Sequence, residues 1–281
     1  MEEGFFEGTP RIHWQAHAVQ GAPAAVVVVH GYGEHAGRYL ELVRRLGEAG
    51  LSCYLADLRG HGLSDGARGH VARFADYLAD LQPLVAMARA ASERVFLLGH
   101  SMGGLVVLRL LLEDAGFDGA VVSAPYLRLG FEPPAWKLAL GRVLSRLAPR
   151  LPIPSGLRPE MLTRDPERLA RVKADPLWFP TTTAGWYFEA LAVQREVLAR
   201  APEIRLPVLF LLPTADPVVD PRTTKEFFDR LGAEDRRLLR YEGALHEVFN
   251  EIPEVREAAL SAVRDWILER TGRPAIRADA P

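Results

Sequence analysis

The sequence predicts an α/β fold, in which a mostly parallel sheet of about eight strands is covered by helices on both faces. The first observation is a series of short apolar runs, such as the four consecutive valines at positions 26–29. Continuous β-branched runs are typical of strands buried on both faces. The second is that most of these runs alternate with helical patterns, which indicates parallel strands joined by crossover helices. The third is a proline-rich interval between Pro125 and Leu206 that lacks such runs, which predicts an inserted helical cap.

The elements are predicted in the following order along the chain. Phe5 to Val19 is a short β-like segment broken by a Gly-Thr-Pro turn, and it predicts an antiparallel hairpin. Further strands are predicted at 26–29, 52–56, 95–98, 120–123, 207–212 and 237–241, and helices at 38–49, 74–91 and 255–270. The core then comprises residues 1–125 and 206–281, and residues 126–205 form the cap. Residues 271–281 are expected to be a frayed tail.

The composition excludes several classes of function. The chain has 281 residues, of which 48% are hydrophobic, so a folded domain with an insertion is expected. Its net charge of −2 provides no field that would attract nucleic acid or an anionic membrane. Apolar runs are shorter than the roughly 18–20 residues that span a bilayer, and the Met1-Glu2-Glu3 start lacks the pattern of a secretory signal. Cys53 is the only cysteine, so no intrachain disulfide forms, and a cytoplasmic location is expected.

One serine stands in a Gly-x-Ser-x-Gly motif between a predicted strand and a predicted helix. The motif is Gly99-His100-Ser101-Met102-Gly103. A sharp strand-to-helix turn of this kind exposes the serine hydroxyl at the edge of the sheet and leaves the next N–H free. We therefore interpret Ser101 as a nucleophile, with a merely structural turn as the alternative. The ring of His100 is expected to point away from the serine.

A serine nucleophile needs a histidine base and a carboxylate that orients the base. Asp216 follows the predicted strand at 207–212, and His246 follows the strand at 237–241, in the order serine, acid, base. No other histidine occurs after His100. Asp220 competes for the acid position, but Asp220-Pro221 is typical of a helix N-cap with proline in the first turn. Asp216 is therefore the preferred acid.

The loop after the strand at 26–29 has two possible interpretations. In the first, the N–H of Tyr32 and that of Met102, the residue after the nucleophile, together bind an oxyanion. In the second, Gly31-Tyr32-Gly33-Glu34-His35-Ala36 is a relaxed dinucleotide-binding fingerprint with Asp57 as the ribose ligand. Against the second, Glu34 places a carboxylate where a pyrophosphate would have to bind. We expect neither a cofactor nor a metal.

Several motifs together resemble one branch of a known superfamily. They are His30-Gly31-Tyr32-Gly33-Glu34-His35 through Arg38-Tyr39, Arg59-Gly60-His61-Gly62 with Arg68-Gly69-His70, Gly99-His100-Ser101-Met102-Gly103-Gly104, Thr163-Arg164-Asp165-Pro166, Asp175-Pro176-Leu177, and His246-Glu247-Val248-Phe249-Asn250-Glu251. They span roughly residues 26 to 251, and with them the chain resembles the monoacylglycerol lipase branch of the α/β-hydrolase superfamily. The resemblance implies that Ser101 is the nucleophile, Asp216 the acid and His246 the base, with Tyr32 and Met102 as oxyanion donors. The chain departs from the branch at Pro213-Thr214, where relatives usually carry a glycine.

The expected function is that of a serine carboxylester hydrolase that cleaves monoacylglycerols to fatty acid and glycerol through an acyl-enzyme. A lysophospholipase, a short-chain carboxylesterase and a catalytically silent binding module are the alternatives. In the cap, helical spacing places five apolar side chains on one face, close to Arg142 and Arg146: Trp136, Leu140, Val143, Leu144 and Leu147. This face is predicted either to pack on the core or to rest on lipid aggregates.

Overall fold

The fold is an alternation of strands and helices, which a computed structural model describes over residues 1–114 and 116–272. The strands of this part are β1 (Glu2–Phe6), β2 (Ile12–His17), β3 (Ala25–Val29), β4 (Ser52–Ala56), β5 (Val95–His100), β6 (Gly119–Ser123), β7 (Pro152–Pro154), β8 (Thr181–Thr183), β9 (Val208–Pro213) and β10 (Arg236–Tyr241). Its α-helices are α1 (Leu40–Glu48), α2 (Ala75–Ala91), α3 (Met102–Leu111), α4 (Ala135–Leu147), α5 (Pro166–Ala174), α6 (Ala184–Ala199), α7 (Pro221–Asp229) and α8 (Pro253–Arg270).

Eight of the strands form a single sheet in the order β1-β2-β4-β3-β5-β6-β9-β10. Strand β2 is antiparallel to both of its neighbours, and the pairs from β4 to β10 are parallel. The predicted fold class and the hairpin are therefore confirmed. The clearest difference in bounds is at β5, which continues to His100 instead of ending at residue 98. This extension carries the strand directly into the turn at Ser101.

The two faces of the sheet are covered by different helices. Along β3, Val27 and Val29 face the core packed by α2, α3 and α7, whereas Val26 and Val28 face the core packed by α1 and α8. All four valines are buried. Burial on both faces explains why the sequence of this strand is continuously apolar instead of alternating.

The segment between β6 and β9 contains α4, α5, α6 and an antiparallel ribbon of β7 and β8. The expectation of an all-helical insertion is wrong at this ribbon. Each of its strands has only three residues, and β7 contains two prolines, so neither carries a recognisable strand pattern. Helix α6 packs on the core, because Trp186, Ala190 and Val197 are buried in the same cluster as α3.

The chain after α8 is described for only two residues. Thr271 and Gly272 form a turn, and most of the tail predicted at 271–281 lies outside the described residues. Among the helices of residues 1–114 and 116–272, none has the length and apolarity required to cross a bilayer.

The junction between β5 and α3 is packed tightly against β3. A Cβ added at Gly103 would lie 2.1 Å from the carbonyl oxygen of Val29. A Cβ added at Gly99 would lie 2.4 Å from the carbonyl oxygen of Gly103. Because both distances are far below van der Waals contact, only glycine allows α3 to begin this close to the sheet.

Replacing Gly103 is expected to destabilise the fold, in contrast to a matched helical glycine. Gly103→Ala is expected to lower the free energy of unfolding by about 1–3 kcal/mol or more, because the added methyl group must displace backbone. Gly47→Ala in α1 meets nothing within 4 Å and is expected to raise it by up to about 1 kcal/mol. Denaturant titrations followed by circular dichroism measure both values. Equal stability of the two variants would show that the packing at Gly103 is not restrictive.

Candidate active site

Ser101 lies at the turn between β5 and α3, with φ 53° and ψ −116°. These angles are outside the regions that residues with a side chain favour, so the backbone is strained. Hydrogen bonds to a neighbouring segment of the same chain hold the turn in this conformation. The N–H of Ser101 donates to the carbonyl oxygen of Ser123 at 2.9 Å, and its own carbonyl oxygen accepts the N–H of Tyr126 at 2.9 Å. The turn thus holds the serine at the wall of a cavity, which Ser101 lines.

Asp216 and His246 meet beside this turn. Because β9 and β10 are neighbouring parallel strands, the loops after their carboxyl ends lie side by side. Nδ1 of His246 lies 2.7 Å from Oδ2 of Asp216, and both side chains are buried. The other carboxylate oxygen of Asp216 accepts the N–H groups of Val218 at 2.7 Å and Val219 at 3.1 Å. With Nδ1 bound to the carboxylate, Nε2 is the nitrogen of His246 left to accept a proton.

Asp220, the competing acid, is placed differently. Its carboxylate accepts the N–H of Arg222 at 3.0 Å and caps α7, as its sequence context predicts. The turn at Pro213-Thr214 is closed without the usual glycine of the branch. The N–H of Thr214 donates to the carbonyl oxygen of Tyr241 at 3.1 Å, and its hydroxyl accepts the N–H of Gly243 at 2.9 Å.

The environment of His246 favours its protonated form. Burial lowers the pKa of this histidine. The charge of Asp216 and the hydrogen bond to it act in the opposite direction, and the pKa of His246 lies above its usual value. A raised pKa makes the imidazole a stronger base.

His100 lies against His246, with the two ring centroids 4.7 Å apart, and it lines the same cavity. A Cβ added at Gly31 would lie 3.2 Å from Cδ2 of His100, so the ring also borders the loop of Tyr32. Burial, together with the charge of His246, lowers the pKa of His100 to about 3. His100 therefore stays neutral beside His246. Sequence reasoning gave it no role.

The N–H groups of Tyr32 and Met102 are both free to bind an anion. Within residues 1–114 and 116–272, neither has a protein acceptor. Met102 is the first residue of α3, where the helix dipole adds partial positive charge. A Cβ added at Gly31 would lie 3.3 Å from the Cβ of Ser101, so the loop of Tyr32 packs directly against the serine turn.

A cluster of Glu34, Arg38 and Glu247, whose side chains are at most 9% exposed, also lines the cavity. Arg38 donates to Glu34 at 3.0 Å and to both oxygens of Glu247 at 2.9 and 2.7 Å. Burial raises the pKa of Glu34, but Arg38, His100, His30 and the hydrogen bond from Tyr39 together lower it more, to about 2. Both carboxylates therefore pair with the same guanidinium. The motifs of the sequence contain these residues, but sequence reasoning gave them no role, since their pairing depends on the fold.

The cavity has a volume of about 360 Å³, and the rest of its lining is mainly apolar. Most of the apolar lining comes from the segment between β6 and β9, for example from Phe131, Leu138, Ile153, Leu157, Met161 and Phe188. Ser101 and His246 line the same cavity. A molecule with an apolar chain and a small polar end can therefore reach the serine.

The groups that a dinucleotide or a metal would need are not available. The N–H of Gly31 donates to Glu34 at 2.6 Å, so a carboxylate of the chain occupies the place where pyrophosphate would bind. Asp57 is buried and accepts the N–H of Ala36 at 2.8 Å. In the described part of the chain, no group of three or more His, Cys, Asp or Glu residues is arranged to hold a metal ion.

The class of α/β-hydrolases is defined by three features of this structure. They are a mostly parallel sheet with helices on both faces, an insertion after β6, and a strained serine beside a buried histidine–aspartate pair. The chain belongs to the family described as Hydrolase_4, serine aminopeptidase, S33, whose profile matches residues 20–253. The predicted superfamily and enzyme class are thereby confirmed.

Its relatives include lipases and a phospholipase. The chain is 34% identical to the monoacylglycerol lipase of Mycolicibacterium smegmatis, over 93% of this chain and 94% of that protein. It is 30% identical to phospholipase YtpA of Bacillus subtilis, over 86% and 93%. The crystal structure of the Paleococcus ferrophilus monoacylglycerol lipase superposes with a TM-score of 0.85 at 32% identity, over 92% of this chain and 99% of that one. The chain spans 26% of a longer relative from Dictyostelium discoideum.

Proposed function

We propose that this chain hydrolyses monoacylglycerols to a fatty acid and glycerol through a covalent acyl-enzyme on Ser101. One observation carries the proposal. The strained serine and His246 line one cavity, and His246 is bonded to the buried carboxylate of Asp216. The relatives from M. smegmatis and P. ferrophilus are named monoacylglycerol lipases, which supports a monoacylglycerol as the substrate.

The reaction uses the residues in two half-reactions. Ser101 Oγ attacks the ester carbonyl as its proton passes to Nε2 of His246, and Asp216 stabilises the imidazolium. The N–H groups of Tyr32 and Met102 bind the oxyanion of the tetrahedral intermediate. The intermediate collapses, the C–O bond breaks, and His246 gives its proton to the departing alcohol. Water, deprotonated by His246, then attacks the acyl carbonyl. The bond from the acyl carbon to Ser101 Oγ breaks, His246 returns the proton to Oγ, and the fatty acid is released.

The two ends of the cavity suit the two ends of a monoacylglycerol. We propose that residues 126–205 are a cap whose apolar side chains hold one acyl chain. In this proposal, Glu34 and Glu247, which line the cavity, accept hydrogen bonds from the glycerol hydroxyls.

Lysophospholipids are the second candidate substrate, and the resemblance to a phospholipase favours them. They have the same single chain beside a larger charged head. A short-chain ester is the third, because it needs only the serine and the oxyanion donors. For location, we propose the cytoplasm, since Cys53 is a buried free thiol and the sequence has no second cysteine.

We also propose that α4 rests on lipid aggregates. The alternative that its apolar face packs on the core is wrong, because α4 has no buried residue. The exposed fractions of Trp136, Leu140, Val143 and Leu147 are 64%, 50%, 52% and 79%. The helix carries Lys137, Arg142 and Arg146 and no acidic residue, so its charge suits the phosphates of lipid headgroups.

Loss of the Asp216 charge is expected to damage catalysis far more than loss of the Asp220 charge. Asp216→Asn is expected to lower kcat by about 10⁴-fold, the magnitude known for the equivalent change in another serine hydrolase. Asp220→Asn retains a good helix N-cap and is the control. Activity rises as His246 loses its proton. Since Asp216 raises the pKa of His246, the acidic limb of the pH profile of kcat/KM is expected to move to lower pH in Asp216→Asn. Greater damage from Asp220→Asn would reverse the assignment.

The substrate is tested by comparing kcat/KM for a monoacylglycerol, a diacylglycerol, lysophosphatidylcholine, a short-chain ester and an aminoacyl anilide. We expect the monoacylglycerol to give the highest value. Ser101→Ala is expected to lower turnover by about 10⁴-fold or more. A preference for lysophosphatidylcholine or the diacylglycerol would contradict the substrate but not the mechanism. Near-full activity of Ser101→Ala would contradict the mechanism, and a wild-type chain inert on every substrate would point to a binding module.

Contact with lipid is tested at the exposed leucines of α4. Leu140→Gln combined with Leu147→Gln is expected to weaken cosedimentation with phospholipid vesicles by about tenfold or more, because each leucine buries apolar surface worth about 1.5–3 kcal/mol. Activity on a soluble short-chain ester is expected to stay unchanged. Leu63→Gln, at a leucine that is 53% exposed outside the cap, is the control. Unchanged vesicle binding in the double variant would contradict the proposed contact.

A further inference from the structure

Two motifs that the catalytic residues leave unexplained meet beside the loop of His246. They are Thr163-Arg164-Asp165-Pro166 in the inserted segment and the residues that follow His246. The N–H of Glu247 donates to the carbonyl oxygen of Leu162 at 2.9 Å. The hydroxyl of Thr163 donates to the carbonyl oxygen of Asn250 at 2.7 Å. The inserted segment is therefore bonded to the chain directly after the histidine.

Glu251 fixes this loop from its other side. Its carboxylate is fully buried, with 0% of the side chain exposed. One oxygen accepts the N–H of Leu245, the residue before His246, at 3.0 Å. The other accepts the N–H of Ile252 at 2.8 Å. One carboxylate thus holds both ends of the loop, and the backbone at His246 cannot shift without breaking these bonds.

The counter-charge of Glu251 comes from the inserted segment. Nε of Arg164 lies 3.1 Å from both carboxylate oxygens. In residues 1–114 and 116–272, no other cationic side chain pairs with this carboxylate. A buried carboxylate without a partner is strongly unfavourable. The bonds that hold the His246 loop therefore depend on Arg164 being in place.

We propose that Glu251 is a positioning residue for His246, and that Arg164 couples this position to the inserted segment. Neither residue lines the cavity, so both act through the backbone of the histidine loop and not through contact with the substrate. The inference rests on the proposed function, in which His246 is the base. It assigns a role to the Thr-Arg-Asp-Pro motif as the part of the insertion that completes the catalytic geometry.

The test compares Glu251→Gln and Arg164→Met with Glu196→Gln. Glu196 in α6 pairs with Nε of Arg109 at 3.0 Å, so its replacement also breaks an ion pair between core and insertion, but it has no bond to the histidine loop. The readouts are kcat and KM on a soluble short-chain ester and the rate constant of labelling by a fluorophosphonate. Circular dichroism establishes that each variant is folded.

A displaced base lowers the reaction rate of every folded protein molecule. We expect Glu251→Gln and Arg164→Met to reduce kcat and the labelling rate constant by about 10- to 100-fold with KM within about twofold, and Glu196→Gln to match wild type. A merely structural role would lower the fraction that finally labels but leave the rate constant unchanged. If Glu251→Gln does not fold, Arg164→Met decides, because its side chain is 37% exposed.

Wild-type rate constants in a folded variant of either residue would overturn the proposal. An equal loss of kcat and of the labelling rate constant in Glu196→Gln would also overturn it, because the effect would then follow from breaking any ion pair between the core and the inserted segment. Failure of the proposed function is distinguishable, since the wild-type chain itself would then neither hydrolyse the ester nor label.

Discussion

The close approach of α3 to β3 sets the position of Ser101, and the rest of the site is arranged around this turn. A backbone in the conformation of Ser101 costs about 1–3 kcal/mol. Helix α3 offsets that cost, because Leu105, Val106 and Leu108 are fully buried and each such side chain contributes about 1.5–3 kcal/mol. The strain is thus sustained by burial, and the glycine at position 103 is the condition for that burial.

Buried charges connect the loops that surround the serine. Arg38 links Glu34, whose carboxylate holds the Tyr32 loop through the N–H of Gly31, to Glu247 beside His246. On the far side of His246, Glu251 pairs with Arg164 of the inserted segment. Each ion has a partner, as burial demands. The Tyr32 loop, the His246 loop and the inserted segment are therefore held by ion pairs that span them, and the inserted segment both lines the cavity and pairs with the carboxylate beside the His246 loop.

The sequence predicts the fold well and proposes Ser101, Asp216 and His246 as one site, because both leave local signals. Buried strands are continuous apolar runs, and Asp216 and His246 each follow one of them. The structure adds what depends on distant contacts. The packing of His100 on His246 and the pairing of Glu251 with Arg164 have no local pattern. The ribbon of β7 and β8 was missed because strands of three residues show no periodicity. The sequence did not decide whether the apolar face of α4 is buried or exposed, because the pattern of an amphipathic helix is the same in both cases.

The most direct test of the account is where a fluorophosphonate reacts. The wild-type chain is treated with the reagent, its intact mass is measured, and the modified peptide is sequenced by mass spectrometry. The account predicts one adduct per chain, on Ser101, because the serine lies at a strained turn beside a histidine whose basicity Asp216 raises. Absence of an adduct, or an adduct on another residue, would contradict the assignment of this serine as the nucleophile.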